Sequence, residues 1–238
     1  MSIVDLPPAS SPAFGTAPSA HSAAGRPALC AYQRHFKRVL DVSLILASLP
    51  FALPVALPVA LPVIAVCAAL VALDGHAPLY MQRRIGRHGK VFRIVKLRSM
   101  VPDAEAALAA HVAENAEARA EWDSFQKLQN DPRITPIGRL LRKTSLDELP
   151  QLWNVLLGHM SLVGPRPMME CQKPLYPGTA YFLMRPGITG LWQISARNQS
   201  EFAGRNRFDA EYWRGLTFGT DLRILWRTAG VVLRRTGC

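Results

Sequence analysis

Asp147 and Glu148 are adjacent carboxylates in a chain where acids are scarce, with 17 Asp and Glu against 28 Lys and Arg. Arg139, Arg142 and Lys143 stand just before them. Cations that close favour the ionised form, so the pair suits a nucleophile or a metal ligand better than a general acid. The same residues also read as a capping box, with Ser145 capping a helix and Glu148 reaching back to it, acids being favoured at the positive helix end. Both readings stand on local sequence alone. Further along, Gly164-Pro-Arg-Pro167 forms a rigid turn that fixes Arg166. A guanidinium suits bidentate phosphate binding, although an Arg between prolines is also an ordinary surface turn residue. KLRS at 96–99 and RPGITGLWQ at 185–193 add cations and glycines, and neither is a Walker loop or a dinucleotide fingerprint.

Three kinds of element must position these groups. VFRIVKL at 91–97 alternates as a strand with its Arg and Lys on one side. Asp103 to Gln129 has helical spacing with no Gly or Pro and predicts one helix. From 131 to 198 the chain is dense in Pro, Gly and Arg, which predicts short elements between turns. At 221–235, Leu222, Leu225, Trp226, Ala229, Val232 and Leu233 share one side of a helix, with the arginines largely elsewhere. That pattern fits a helix lying in a membrane interface and fits an amphipathic core helix equally well. The fold class expected is α+β, mostly helical, with few short strands.

Ahead of this lies an uncharged run, Val42 to Leu73, that includes ALPVALPVALPV. About 20 apolar residues cross a bilayer, so its length alone reads as a span. Pro50, Pro54, Pro58 and Pro62 argue otherwise, because each withholds a hydrogen bond and crowds the carbonyl four residues back. Freed carbonyls are tolerated only where protein, water or headgroups reach them. Basic clusters flank both ends, Arg34, Lys37 and Arg38 before and Arg83 to Arg98 after. A re-entrant helix–break–helix keeps both in the cytoplasm, whereas a kinked single span does not. The expected organisation is therefore a disordered Ala-, Ser- and Pro-rich tail at 1–33, a re-entrant hairpin at 34–78 and a catalytic domain at 79–238.

The net charge of +11 attracts anions, whether nucleic acid, anionic lipid or phosphorylated small molecules. Nucleic acid is disfavoured, since the basic residues sit among Pro-Gly turns rather than between stacking aromatics. Cys30, Cys67, Cys171 and Cys238 show no C-x-x-C pair and no zinc-ligand spacing, which predicts neither disulfides nor a structural metal. A homo-oligomer is compatible with these features, which leave the number of copies open.

The runs KRVLDVSLIL, MQRRIGRHGKVFRIVKLRSM, DPRITPIGRLLRKTSLDELPQLWNVLLGHMSLVGPRP and RPGITGLWQISARN resemble, in order over about residues 34 to 235, the bacterial sugar transferase family. These are monotopic phosphoglycosyl transferases that begin exopolysaccharide, O-antigen or glycoprotein glycan assembly. The resemblance implies transfer of a sugar 1-phosphate from a nucleotide diphosphate sugar, expected to be a UDP-sugar, to undecaprenyl phosphate, with release of UMP. It further implies that Asp147 attacks the sugar-bearing phosphate and contacts Mg²⁺, and that Glu148 assists with metal or proton. Arg166 would grip phosphate, with Lys96, Arg98 and Arg142 as further substrate-facing cations. The implied location is the bacterial inner membrane, with its lipids as partners and the catalytic domain on the cytoplasmic face. At this length the chain would be the family's short form.

Some positions depart from the family pattern. The membrane segment normally breaks at one Ser-Pro-like point, nearest here to Ser48-Leu-Pro50. His159 replaces a usual acid, and Ala196 replaces a usual Gly before Arg197. The rival reading is a membrane-tethered basic protein that binds lipid or phosphate without turnover, against which the intact set of Asp147, Glu148 and Arg166 speaks.

Overall fold

A computed structural model describes residues 32–51, 57–72, 75–195 and 201–233. Residues 1–31 of the predicted tail, the segment holding Pro54, and Ala196 with Arg197 lie outside the described residues, whereas the tail's last two residues, Tyr32 and Gln33, are helical. A short π-helical turn, Tyr32–Phe36, leads into α1 (Lys37–Phe51) and α2 (Leu57–Ala72). Next come β1 (Leu79–Ile85) and β2 (Val91–Leu97), then α3 (Ala104–Glu114), α4 (Ala116–Phe125), α5 (Pro136–Thr144) and α6 (Gln151–Leu156). β3 (Ser161–Val163), α7 (Ala180–Leu183), β4 (Gly187–Thr189), α8 (Leu191–Ser195), α9 (Arg205–Arg214) and α10 (Phe218–Leu233) complete the chain. The α+β class with few short strands is what the sequence predicts.

β1 and β2 form an antiparallel hairpin in which Leu79 faces Leu97 and Ile85 faces Val91. The predicted strand coincides with β2. The predicted long helix does not survive as one piece. Asn115 takes an extended conformation between α3 and α4, and its side chain accepts hydrogen bonds from the N–H groups of Glu117 and Ala118. Asn offers the backbone this local alternative to helix, and here the alternative wins.

The proline run also differs from expectation. Pro58 occupies the first turn of α2, where its missing N–H has no partner to lose. Pro62 lies inside the helix, which therefore tolerates it. α1 continues through residues 48–50, nearest to which the break is expected, as far as Phe51, and residues 52–56 lie outside the described residues. Among the described residues, no helix is long and apolar enough to cross a membrane.

Both apolar helices pack on the same body. At the start of α1, the Lys37 ammonium meets Asp221 of α10 at 2.7 Å, and the hydroxyls of Tyr32 and Tyr212 donate to that carboxylate at 2.5 and 2.6 Å. Arg38 donates to the Val155 and Leu156 carbonyls at the end of α6. Asp41 accepts from the Ser161 hydroxyl at 2.8 Å and the Leu162 N–H at 3.1 Å. Deeper in α1, Ile45 joins Ile94, Val155 and Met160 in one apolar cluster. At the end of α2, Cys67 and Val71 pack with Leu97 and Leu141.

Close backbone approaches set the remaining geometry. A Cβ on Gly138 would sit 1.9 Å from the Ser99 carbonyl oxygen, so α5 lies against the end of β2. β3 and β4 pair in parallel, and a Cβ on Gly164 would fall 2.4 Å from the Arg185 carbonyl oxygen. Gly138→Ala is expected to destabilise the fold by about 2 kcal/mol or more, since the obstacle is backbone rather than a side-chain tip. Thermal unfolding in detergent reads this directly, and an unchanged melting temperature would show that α5 is free to shift.

Candidate active site

α5 ends at Thr144, and Ser145 adopts the left-handed conformation with φ 58 as its C-cap. A single 3₁₀ turn, Leu146–Glu148, then leads to Pro150 and α6. Ser145 makes no side-chain cap, so the capping-box reading is corrected: the Glu148 carboxylate turns away from Ser145 and toward β2. Its Oε1 receives the Lys96 ammonium at 3.0 Å and lies 3.6 Å from Arg166 Nη1. Pro150 and the pull of Lys96 outweigh the local capping signal.

Asp147 is buried, 6% exposed, yet among the described residues no N–H or O–H donates to it. Burial pushes its carboxyl above the ordinary range, Lys96 opposes this, Glu148 adds to it, and Arg142 and Arg166 oppose it further. The cations bear the converse strain. Lys96 is held below its ordinary range by burial, with Glu148 opposing and Arg166 reinforcing. Burial likewise lowers Arg142, whose Nε donates to the Ser99 hydroxyl at 2.9 Å. The surroundings of Asp147 are thus electrostatically attractive but offer no hydrogen bond. Such a carboxylate retains its lone pairs for an incoming electrophile or cation.

The structure thus brings together Asp147, Glu148, Lys96, Arg142 and Arg166. Arg98 is held elsewhere: its guanidinium donates to the carbonyls of Val71 at 2.7 Å, Ala77 at 3.0 Å and His76 at 3.3 Å, closing the C-terminal end of α2. The structure therefore places Arg98 at that helix end, whereas the sequence reading has it facing substrate.

Residues that sequence reading missed complete the site. Arg84 of β1 donates to the Pro167 carbonyl at 3.1 Å and is pulled down to about 10 by burial, with Arg166 adding to the effect. Arg205 of α9 donates to the Arg166 carbonyl and stacks between Trp192 and Phe202, with ring centroids 5.1 Å away on each side. Behind it, Asp209 accepts from the Tyr176 hydroxyl at 2.8 Å, and burial raises its carboxyl to about 6. Gln151, in the first turn of α6, holds a buried amide nitrogen with no partner. It lines a cavity of about 20 Å³ with Arg84, Lys96, Glu148 and Arg166, room for one water-sized group. An orphaned donor beside three cations is suited to an oxygen of a phosphate.

Among the described residues no cluster of three His, Cys, Asp or Glu side chains converges into a metal cage. Mg²⁺ does not require one, because it commonly takes one or two carboxylates together with substrate phosphates and waters. Asp147, free of donors, with Glu148 adjacent, is a donor set of that type.

Fold and site together define a basic α+β domain built on an apolar helical pair, with a desolvated carboxylate at its centre. The chain belongs to the bacterial sugar transferase family, whose model matches residues 32–235. It is 51% identical over 169 residues to the undecaprenyl-phosphate galactose phosphotransferase of Salmonella typhimurium, covering 70% of this chain and 36% of that protein. It is 48% identical over 176 residues to the UDP-galactose-lipid carrier transferase of Erwinia amylovora, covering 73% of this chain and 37% of that one. The exopolysaccharide production protein ExoY of Rhizobium meliloti is 43% identical over 176 residues, covering 73% of this chain and 78% of that protein. The chain thus spans little more than a third of the first two relatives.

The raised carboxyl of Asp147 has a stability consequence. Its folded form holds the proton longer than the unfolded chain does, so the stabilisation is complete at low pH and is lost as pH rises through the shifted value. Asp147→Asn removes that penalty. The variant is expected to melt above the wild type at pH 7, with the gap closing as pH falls toward the ordinary Asp value of about 4. A melting series across pH checks the sign, and a variant less stable at neutral pH would reverse it.

Proposed function

We propose that this protein transfers a sugar 1-phosphate from a nucleotide diphosphate sugar to undecaprenyl phosphate, in two displacements at Asp147. The observation that carries the proposal is a buried carboxylate with no donor of its own, set among cations and beside a second carboxylate already paired with Lys96. In the first displacement an Asp147 oxygen bonds to the phosphorus that bears the sugar. The bond from that phosphorus to the bridging oxygen breaks, and UMP leaves when the donor is a UDP-sugar. In the second, an oxygen of undecaprenyl phosphate attacks the same phosphorus and the carboxylate is released. The products are the lipid-linked diphosphosugar and UMP, and the enzyme is regenerated.

The barrier is largely electrostatic, since an anionic nucleophile meets an anionic diphosphate and then an anionic acceptor. Lys96 holds Glu148 in place, and Arg166, whose side chain is 37% exposed, is the cation able to turn outward onto phosphate. Asp147, with Glu148 beside it, would hold Mg²⁺, which when bound would offset phosphate charge. The buried amide of Gln151 and the guanidinium of Arg84 would take equatorial phosphate oxygens on the Glu148 side.

The acceptor carries its phosphate at headgroup depth, and the anchoring supports a site at that level. The start of α1 and the end of α2 both return to one body, through Asp221, Val155 and Ser161 at one end and Leu97 and Leu141 at the other. A straight helix from residue 38 to 71 would separate these ends by about 50 Å. This supports a re-entrant hairpin in the inner membrane with the catalytic domain on the cytoplasmic face. The exposed apolar side of α10, with Leu222 and Trp226 at 52% and 82%, favours the interfacial reading of that helix.

With a UDP-sugar labelled in the sugar, wild type and Glu148→Gln are expected to retain label covalently after denaturation, and Asp147→Asn to retain none. UMP release by Asp147→Asn should fall at least about a thousandfold. Normal turnover in that variant, or label trapped on another residue, would refute the two-step route.

A further inference from the structure

A large cavity among the described residues lies away from the dyad. It is a groove of about 840 Å³ beside the tip of the β1–β2 hairpin and the end of α6, and it is lined by Arg83, Arg87, Lys90, Arg93 and Arg185, with His159 alongside. Only one of these cations has an acid within ion-pair distance among the described residues, Arg83 with Glu170 at 2.8 Å. Arg87 carries a buried Nε without a hydrogen-bond partner. Arg185 donates to the Gly158 carbonyl at 2.9 Å, and burial followed by the charges of Arg87 and Arg38 holds it below its ordinary range, with Asp41 the opposing acid. Cations pressed together over a cavity of this size lack the anion that would relieve them.

The position of the groove narrows the anion. Gly158 lines it, and a Cβ there would lie 3.7 Å from Arg38 Nη2 of α1. Arg38 precedes the uncharged run at Val42 by four residues, about 6 Å along a helix. On the anchored reading proposed above, on which this inference rests, the groove therefore lies at headgroup depth. Its surroundings are amphiphilic as well. Val91 lines it and is exposed, Leu157 next to Gly158 is exposed, and Phe36 and Val39 flank Arg38 at 60% and 59% exposure. Such an apolar rim beside a cluster of cations matches a phosphate that carries acyl chains. Nor is the groove continuous with the dyad along β2, because Ile94, packed with the fully buried Val155 and Met160, stands between Phe92 and Lys96.

We propose that this groove binds the headgroup of an anionic phospholipid, with Arg87, Lys90, Arg93 and Arg185 taking its phosphate and Val91 and Leu157 lying against the start of its acyl chains. The bound lipid clamps the hairpin tip, the end of α6 and the start of α1, and thereby holds β2 and its Lys96 level with the bilayer. His159, which also lines the groove, brings no negative charge that would repel the headgroup.

Full-length protein in mild detergent, mixed with phosphatidylglycerol or phosphatidylcholine and weighed by native mass spectrometry, tests this. Wild type should retain phosphatidylglycerol preferentially. The exposed double variant Lys90→Glu/Arg93→Glu should lose about tenfold or more of that retention while phosphatidylcholine binding stays level. Lys90→Arg/Arg93→Lys should retain the preference. Equal retention in the reversed-charge variant would overturn the proposal, as would displacement of the lipid by sodium pyrophosphate, which would make the groove a soluble-phosphate site. Sedimentation with carbonate-washed membranes separates the two readings. Loss of wild type from the pellet would overturn the anchoring and this inference with it, whereas both proteins in the pellet with undiminished lipid retention would overturn the groove alone.

Discussion

Burying a carboxylate without giving it a hydrogen bond is the constraint around which this molecule is organised. Asp147 sits at a place where ionisation is opposed by desolvation, and the fold balances that opposition with charge instead of donors. A backbone N–H or a Ser hydroxyl would stabilise the carboxylate more cheaply, but it would also occupy the lone pairs. Lys96, Arg142 and Arg166 act across space and leave the oxygens free. The left-handed turn at Ser145 makes this possible, because it swings the chain from α5 into one 3₁₀ turn.

Cations gathered for that purpose become a burden in their turn, and the rest of the site is the means of holding them. Lys96 is neutralised by Glu148, which is why the two acids of the dyad have unequal surroundings. Arg142 leans on Ser99, whose backbone is fixed by the close approach of Gly138. Arg166 depends on Arg205, a second guanidinium that grips its carbonyl and is itself enclosed by Trp192 and Phe202. Gly164 admits the Arg185 carbonyl so closely that no side chain fits, which fixes the start of the turn carrying Arg166. Rigidity at Arg166's backbone combined with a partly exposed side chain gives this guanidinium a fixed root and a movable tip, as the proposed phosphate contact requires.

How much of this could be read from the chain depends on whether the cause is local. β2 was legible because alternation and β-branched residues act within the segment itself. The break at Asn115 was local too, but a helical count that looks for Gly and Pro passes over an Asn able to cap the next helix. Asp147, Glu148 and Arg166 stood out because acids are rare and the Pro-Arg-Pro turn is rigid. Of the two readings that the local sequence leaves open at Ser145, the capping box fails for the opposite reason: it is a real local preference, and a lysine 52 positions earlier overrides it by claiming Glu148. Arg84, Gln151 and Arg205 left no mark in sequence, since their meaning comes only from contacts made across the fold. Arg98 reads as one more basic residue until the open carbonyls at the end of α2 are seen beside it.

That last pairing bears on why the apolar segment holds together with the catalytic body. A helix that ends at a membrane surface leaves carbonyls without partners, and water supplies them only if the end is wet. Here Arg98 closes the end of α2, and Arg38 of α1 does the same in reverse by closing the end of α6. The two helices are thus tied to the domain through helix ends as well as through apolar contacts. Charged groups in these ties also set a limit on depth, since the Lys37–Asp221 pair, Arg38 and Asp41 cannot descend into hydrocarbon without losing partners that lie in the domain. On the anchored reading proposed above, the apolar pair sinks only as far as its uncharged residues reach, and the dyad, tied through Leu97 and Leu141 to the end of α2, is carried at the level where those residues stop.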